Sequence, residues 1–164
     1  MLGILCGRFI QKFRQMADTE NSSHQAEELE GFKLGDRFDF EFCISDDNQR
    51  IFAELSGDHN PVHSDPEYAR LNGYEGPVVY GGLIVGKISR LIGMMAPGRS
   101  GIWTGLKIDF HRPLYLGQAA LLSSEVSHIS AGTRSMILKI RISSGDRLIA
   151  AGTAMTTLHS KHKQ

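Results

Sequence analysis

Cysteine is scarce. Cys6 and Cys43 are the only two in 164 residues, one in the N-terminal segment and one in an alternating apolar stretch. Two cysteines in such unlike contexts make neither a disulfide framework nor a zinc cluster, so a reduced compartment is the simpler setting. Net charge is also lacking, because 18 basic side chains balance 18 acidic ones. That leaves no whole-molecule field to draw nucleic acid, and no nucleic-acid partner is expected. No apolar run approaches the length of a transmembrane helix, and neither a Walker-type phosphate loop nor a dinucleotide fingerprint occurs. His24, His59, His111, His128, His159 and His162 show no metal-ligand spacing, so no metal is expected.

What is present suits one globular domain: 41% hydrophobic and 22% charged side chains on a chain too short for two ordinary domains. The first thirty residues stand apart. Leu2, Leu5, Phe9, Ile10, Phe13 and Met16 recur at near-helical spacing beside Arg8, Lys12 and Arg14, without an acid. This reads as a basic amphipathic helix serving packing, surface attachment or organelle targeting, without the long uncharged run of a secretory signal. Asp18 to Glu30 is acidic and polar and reads as a linker. The expected organisation is an extension over 1–30, a domain over 31–159 and a polar tail over 160–164. The expected location is cytoplasmic, or an organelle matrix if the basic segment is a targeting sequence.

Within the domain, Phe38, Phe40, Phe42 and Ile44 alternate with polar positions and predict a strand. Ser45 or Asp46 can cap a short helix ending at Ser56-Gly57. Asp65-Pro66 opens a second short helix, with Asp65 as its cap and Pro66 in the first turn. Leu83, Ile84, Ile88, Leu91, Ile92 and Met95 predict a largely buried helix from Gly82 to Met95. Ile102 to Phe110 alternates with period two, and further strands follow through Ala120–His128, Met136–Ser143 and Arg147–Leu158, with a hairpin turn at Ser144-Gly145-Asp146. One strand, a helical middle and three or four antiparallel strands make an α+β chain. Apolar residues in excess of one buried face, such as Trp103 and Ile137, point to a homodimer.

The chemistry concentrates in Ser56-Gly57-Asp58-His59-Asn60-Pro61-Val62-His63-Ser64-Asp65-Pro66, followed by Pro77-Val78-Val79-Tyr80-Gly81-Gly82-Leu83. A Gly/Asn/Pro-rich turn can hold an acid and an imidazole at set angles. A glycine pair opening a helix offers amide donors where negative charge is welcome. The two pieces together suggest a proton-transfer pair facing an oxyanion site. Taken singly, each has a plainer reading: Asp58 in helix termination, His63 as a satisfied loop histidine, Gly81-Gly82 as a turn. Asn60 either orients a reacting group or braces the turn with its own side chain.

Phe52, Ala53, Ser56-Gly57-Asp58, Asn60-Pro61, His63 and Asp65, then Ala69, Gly73, Pro77 and Gly81, resemble the MaoC-like (R)-specific enoyl-thioester hydratase family. The likeness runs more loosely over 34–158, including Phe110 to Pro113 and Gly117. The resemblance implies a hot-dog fold, an antiparallel sheet wrapped around a long central helix, in a homodimer with sites near the subunit boundary. It also implies reversible hydration of trans-2-enoyl thioesters to (R)-3-hydroxyacyl thioesters, a lyase activity of fatty acid metabolism. Asp58 and His63 would then hold and activate the water, with Asn60 orienting and the Gly81 amide as oxyanion donor beside its neighbour Gly82. Coenzyme A, or the phosphopantetheine of an acyl carrier protein, would be part of the substrate, so the resemblance implies no tightly held cofactor. The chain departs from the family at Tyr80, where a histidine is usual; Tyr80 either stands in behind the site or is a packed aromatic with a bonded hydroxyl.

Two other functions fit the same residues. A thioesterase would direct the water at the carbonyl, and a noncatalytic acyl-thioester-binding or scaffold protein would use the fold without the chemistry. Lys87, Arg90, Arg99, Lys107 and Arg112 either meet carrier phosphates or form a solvated face.

Overall fold

The structure is a computed structural model that describes residues 31–99 and 101–159. The extension and the polar tail anticipated above therefore lie outside the described residues. In chain order come β1 (Arg37–Phe42), α1 (Asp46–Ser56), a 3-10 turn (Pro61–His63), α2 (Pro66–Leu71), α3 (Gly81–Met94), β2 (Gly101–Phe110), β3 (Ala120–Ser130), β4 (Ser135–Ser144) and β5 (Arg147–Leu158). The five strands form one sheet in the order β1-β3-β4-β5-β2, and each neighbouring pair is antiparallel. This is an α+β, hot-dog-like arrangement.

Period-two alternation places Phe40 and Phe42 of β1, Leu122 of β3, Leu138, Ile140 and Ile142 of β4, and Ala150 and Ala154 of β5 on one face. Ile84, Ile88, Leu91 and Ile92 of α3, spaced at three and four residues, pack onto that face in the same cluster. Each such fully buried aliphatic side chain is worth roughly 1.5–3 kcal/mol against exposure. The opposite face carries Arg37, Asp39, Glu41, Lys139 and Arg141, and Arg37 pairs with Glu125 across β1 and β3 at 3.0 Å.

The helix expected to be long has 14 residues, about 21 Å at 1.5 Å per residue. It starts one residue earlier than its apolar spacing suggests, at Gly81. It stops at Met94 because Pro97 biases Ala96 away from helical angles and cannot donate a hydrogen bond, and Gly98 follows at φ 82°.

Strand β2 departs from simple alternation. Its register against β5 slips between Trp103 and Gly105, so Thr104 is an extra residue in the ladder. The slip turns Trp103 toward the helix side, opposite buried Thr156, and puts Ile102 on the other face from Leu106. Trp103 accordingly packs against the core, with Nε1 donating to the Gly105 carbonyl at 2.8 Å, and is not a surplus apolar residue of the outer face. As an edge strand, β2 nevertheless leaves Ile102, Leu106 and Phe110 exposed at 45%, 37% and 51%.

Candidate active site

Helix α1 delivers the acid. Ser45 caps it, accepting the Asn48 N–H at 3.3 Å while Asn48 Oδ1 accepts the Ser45 N–H at 3.3 Å. Gly57 ends it in the left-handed region at φ 73°, which a side chain with a Cβ adopts only under strain. The chain then turns sharply. Ser56 Oγ accepts the Asp58 N–H at 3.2 Å, Asp58 Oδ1 accepts the Asn60 N–H at 3.1 Å, and Asn60 Oδ1 accepts the Val62 N–H at 3.1 Å. Three alternate side chains, Ser56, Asp58 and Asn60, brace one loop, and Asn60 thus has the turn-bracing contact that its residue type offered. Asp65 caps α2, its Oδ1 accepting the Glu67 and Tyr68 amides at 2.8 and 3.1 Å.

His63 is half-buried at the end of the 3-10 turn, and its Nδ1 lies 2.7 Å from the Val78 carbonyl oxygen. A carbonyl only accepts, so Nδ1 carries the proton. In the neutral ring Nε2 then has the free lone pair and serves as an acceptor.

Tyr80 joins the two halves. Its ring stacks on His63 with centroids 3.8 Å apart and lies 5.0 Å from the Phe52 ring, while its hydroxyl donates to the Asp58 backbone carbonyl at 2.5 Å. The residue before the helix therefore touches both the imidazole and the backbone of the acid. Burial pushes the Tyr80 phenol above its ordinary range, and the nearby Asp58 charge raises it further. Tyr80 is thus a packed aromatic with a hydrogen-bonded hydroxyl, and its ring lies against His63.

Helix α3 begins at Gly81 without a side-chain cap from Tyr80. Its first amides have no acceptor within the helix, as at any helix start. Aromatic rings explain the glycine pair: a Cβ on Gly81 would stand 3.1 Å from the Phe110 ring, and one on Gly82 closer still to Phe52 Cζ at the ring's far edge. Gly82→Ala is expected to lower stability in urea by about 1 kcal/mol, because overpacking costs typically 1–3 kcal/mol against a helix-propensity gain near 1. The added loss should disappear when Phe52→Ala is combined with it, and additive effects of the two changes would contradict the packing account.

Two of the cations considered for carrier phosphates lie over β1 aromatics: Lys87 Nζ is 5.6 Å from the Phe42 ring centre and the Arg90 guanidinium 4.7 Å from that of Phe40. Their charges thus sit on the sheet. Among the described residues no group of three or more His, Cys, Asp or Glu side chains is gathered to hold a metal ion, and no helix is long and apolar enough to cross a membrane.

Gln49 was not among the residues singled out from the sequence. It is the buried residue of α1, 5% exposed, and reaches the backbone of both site segments. A signal existed: Gln49, Phe52, Ala53 and Ser56 fall at i, i+3, i+4 and i+7, one face of a helix. A polar residue in that row looked like an ordinary surface position.

Residues 32–144 match the family described as the MaoC like domain. The chain is 33% identical over 108 residues to the (R)-specific enoyl-CoA hydratase of Aeromonas caviae, covering 65% of this chain and 81% of that protein. It is 26% identical over 112 residues to the 3-hydroxybutyryl-CoA dehydratase of Methylorubrum extorquens, covering 68% and 71%. The solved (R)-hydratase of A. caviae involved in PHA biosynthesis superimposes with a TM-score of 0.75 at 28% identity, over 79% of this chain and 98% of that one. With the Asp58 to His63 turn carried on α1 and the glycine pair opening α3, this chain belongs to the MaoC-like hydratase/dehydratase family.

Proposed function

We propose that the protein reversibly hydrates trans-2-enoyl thioesters to (R)-3-hydroxyacyl thioesters. The observation that carries this reading is the bond from His63 Nδ1 to the Val78 carbonyl, which leaves Nε2 as the acceptor in a histidine stacked on the tyrosine that also holds Asp58. In the forward direction Asp58 and His63 hold one water, and its oxygen bonds to the β-carbon as a proton passes to them. The α-carbon receives a proton in return, so the elements of one water are added and no bond to sulfur breaks. Charge that develops on the thioester oxygen is met by the Gly81 amide, a contact of the kind worth about 3–4 kcal/mol in other enzymes. Asn60 orients the loop that carries both groups. The hydratases and dehydratases matched above support this substrate class.

The carrier, coenzyme A or the phosphopantetheine of an acyl carrier protein, belongs to the substrate. A homodimer is part of the proposal. An edge strand exposing Ile102, Leu106 and Phe110 invites a second copy, and Phe110 leans on Gly81, which would put that boundary beside the site.

The test is incubation with crotonyl-CoA under chiral product analysis and thiol detection. (R)-3-hydroxybutyryl-CoA without free thiol is the expected result. Thiol release would make the protein a thioesterase, and binding without turnover would make it a noncatalytic binding protein.

Tyr80→Phe is expected to keep the stack on His63 but release the Asp58 carbonyl, lowering stability by about 0.5–1.5 kcal/mol and turnover with it. The sign of the pH effect follows from the raised phenol. A group whose folded pKa lies above its unfolded one contributes stability below the unfolded value, near 10 for tyrosine, and loses it as pH rises through the folded value. Urea melts above pH ~10 should therefore weaken more steeply for the native chain than for Tyr80→Phe. Parallel curves would show that Tyr80 does not titrate across unfolding as proposed.

A further inference from the structure

Three polar side chains are buried among the described residues: Gln49, Ser124 and Thr156. Ser124 spends its hydroxyl on the Phe38 carbonyl across the sheet, and Thr156 lies within β5. Gln49 alone reaches the loop that carries His63. Its Nε2 donates to the His63 carbonyl at 2.9 Å and to the Val78 carbonyl at 2.7 Å, while its Oε1 accepts the Tyr80 N–H at 3.4 Å. One amide thus uses both donors and its acceptor on three backbone groups, which burial of a primary amide requires.

The Val78 carbonyl is the point of coupling. It accepts from Gln49 Nε2 and from His63 Nδ1, both at 2.7 Å. The first bond locates the carbonyl, and the second uses it to decide which ring nitrogen carries the proton. The bond to Tyr80 N–H in turn locates the residue immediately before the Gly81 and Gly82 amides. We infer that Gln49 is a positioning residue: through the Val78 carbonyl it holds His63 in the Nδ1–H tautomer, and through Tyr80 it sets the helix-start amides at a fixed place relative to Nε2. The part of this inference that concerns turnover rests on the hydratase reading. The part that concerns the tautomer does not.

The experiment uses the full chain with nitrogen-15-labelled histidine, at a pH where the His63 ring is neutral. Native protein should show an amine-type Nδ1 and a pyridine-type Nε2 for His63. Gln49→Met keeps the length and helix propensity of the side chain but removes all three contacts. Gln49→Glu keeps an acceptor for Tyr80 and leaves at most one donor for the two carbonyls. In each variant the His63 signals should move toward a mixture of tautomers. The kcat for crotonyl-CoA hydration should fall about 10- to 100-fold, the cost of a small misplacement at a site, with KM within about threefold. If Gln49→Met fails to fold, Gln49→Glu carries the test alone. Unaltered His63 signals in a folded variant, or a kcat within about twofold of native, would overturn the inference. Native protein that shows the tautomer and its loss but hydrates no enoyl thioester would sink the functional reading and leave the positioning role standing.

Discussion

Replacing His63 with alanine is expected to lower kcat for enoyl-thioester hydration by about 10²–10⁴-fold, the range that a positioned general acid–base group contributes. The fold should survive. The His63 backbone N–H donates to the Asn60 carbonyl at 3.0 Å, a bond that alanine keeps, and the Val78 carbonyl retains its second donor, Gln49 Nε2, at 2.7 Å. What disappears is the stack on Tyr80 and the Nε2 lone pair. Loss of turnover with an intact circular dichroism spectrum and a cooperative melt would place the effect on chemistry. Added imidazole should restore part of the rate, since the vacated side-chain volume borders the Val78 carbonyl. Hydration within tenfold of native in a folded His63→Ala protein would mean that another group moves the proton.

Asp58→Asn should cost a similar factor of about 10²–10⁴, and for a cleaner reason. The contacts that shape the loop do not need the charge: an amide oxygen can accept the Asn60 N–H as Asp58 Oδ1 does at 3.1 Å, and the Tyr80 hydroxyl bonds to the Asp58 backbone. The substitution therefore removes a negative charge and a proton acceptor while leaving the turn in place. An independent readout accompanies the kinetics. Asp58 contributes to the raised Tyr80 phenol, so its neutralisation should let the buried tyrosine ionise at lower pH in an ultraviolet titration, while burial continues to hold it above the usual range. A displaced tyrosine titration with unchanged turnover would show that the carboxylate lies by the phenol but has no part in the reaction.

Much of the local structure was legible because it depends on near neighbours. Ser45 as a cap, Gly57 as a helix stop, Asp65-Pro66 as a helix start and the alternation of β1 each follow from preferences that act within a few residues. The same holds for the Ser56 to Val62 turn, where three side chains each accept from the amide two positions on. Legibility failed where the deciding contact was remote. The Thr104 slip in β2 set Ile102 and Leu106 on opposite faces, and only pairing with β5 defines it. Tyr80 could be read as an aromatic with a hydroxyl, but its partners, Asp58 and His63, lie 22 and 17 positions away in the chain. Gln49 stood in the inward row of α1, but nothing near it in the chain named its partners, which lie 14, 29 and 31 positions ahead.

By itself the amino-acid sequence determined the residue types of the site, the turn that holds acid and imidazole, and the elements on either side, because short-range steric and hydrogen-bonding preferences act on a chain wherever it goes. The tertiary structure alone decided which nitrogen of His63 is free, which ring stands behind it and which buried amide ties the two segments together. Those outcomes depend on one carbonyl, that of Val78, arriving within 2.7 Å of two donors from separate parts of the chain. Hydrogen bonds are that exacting over tenths of an ångström, and only packing α1 and α3 around the same loop supplies such placement.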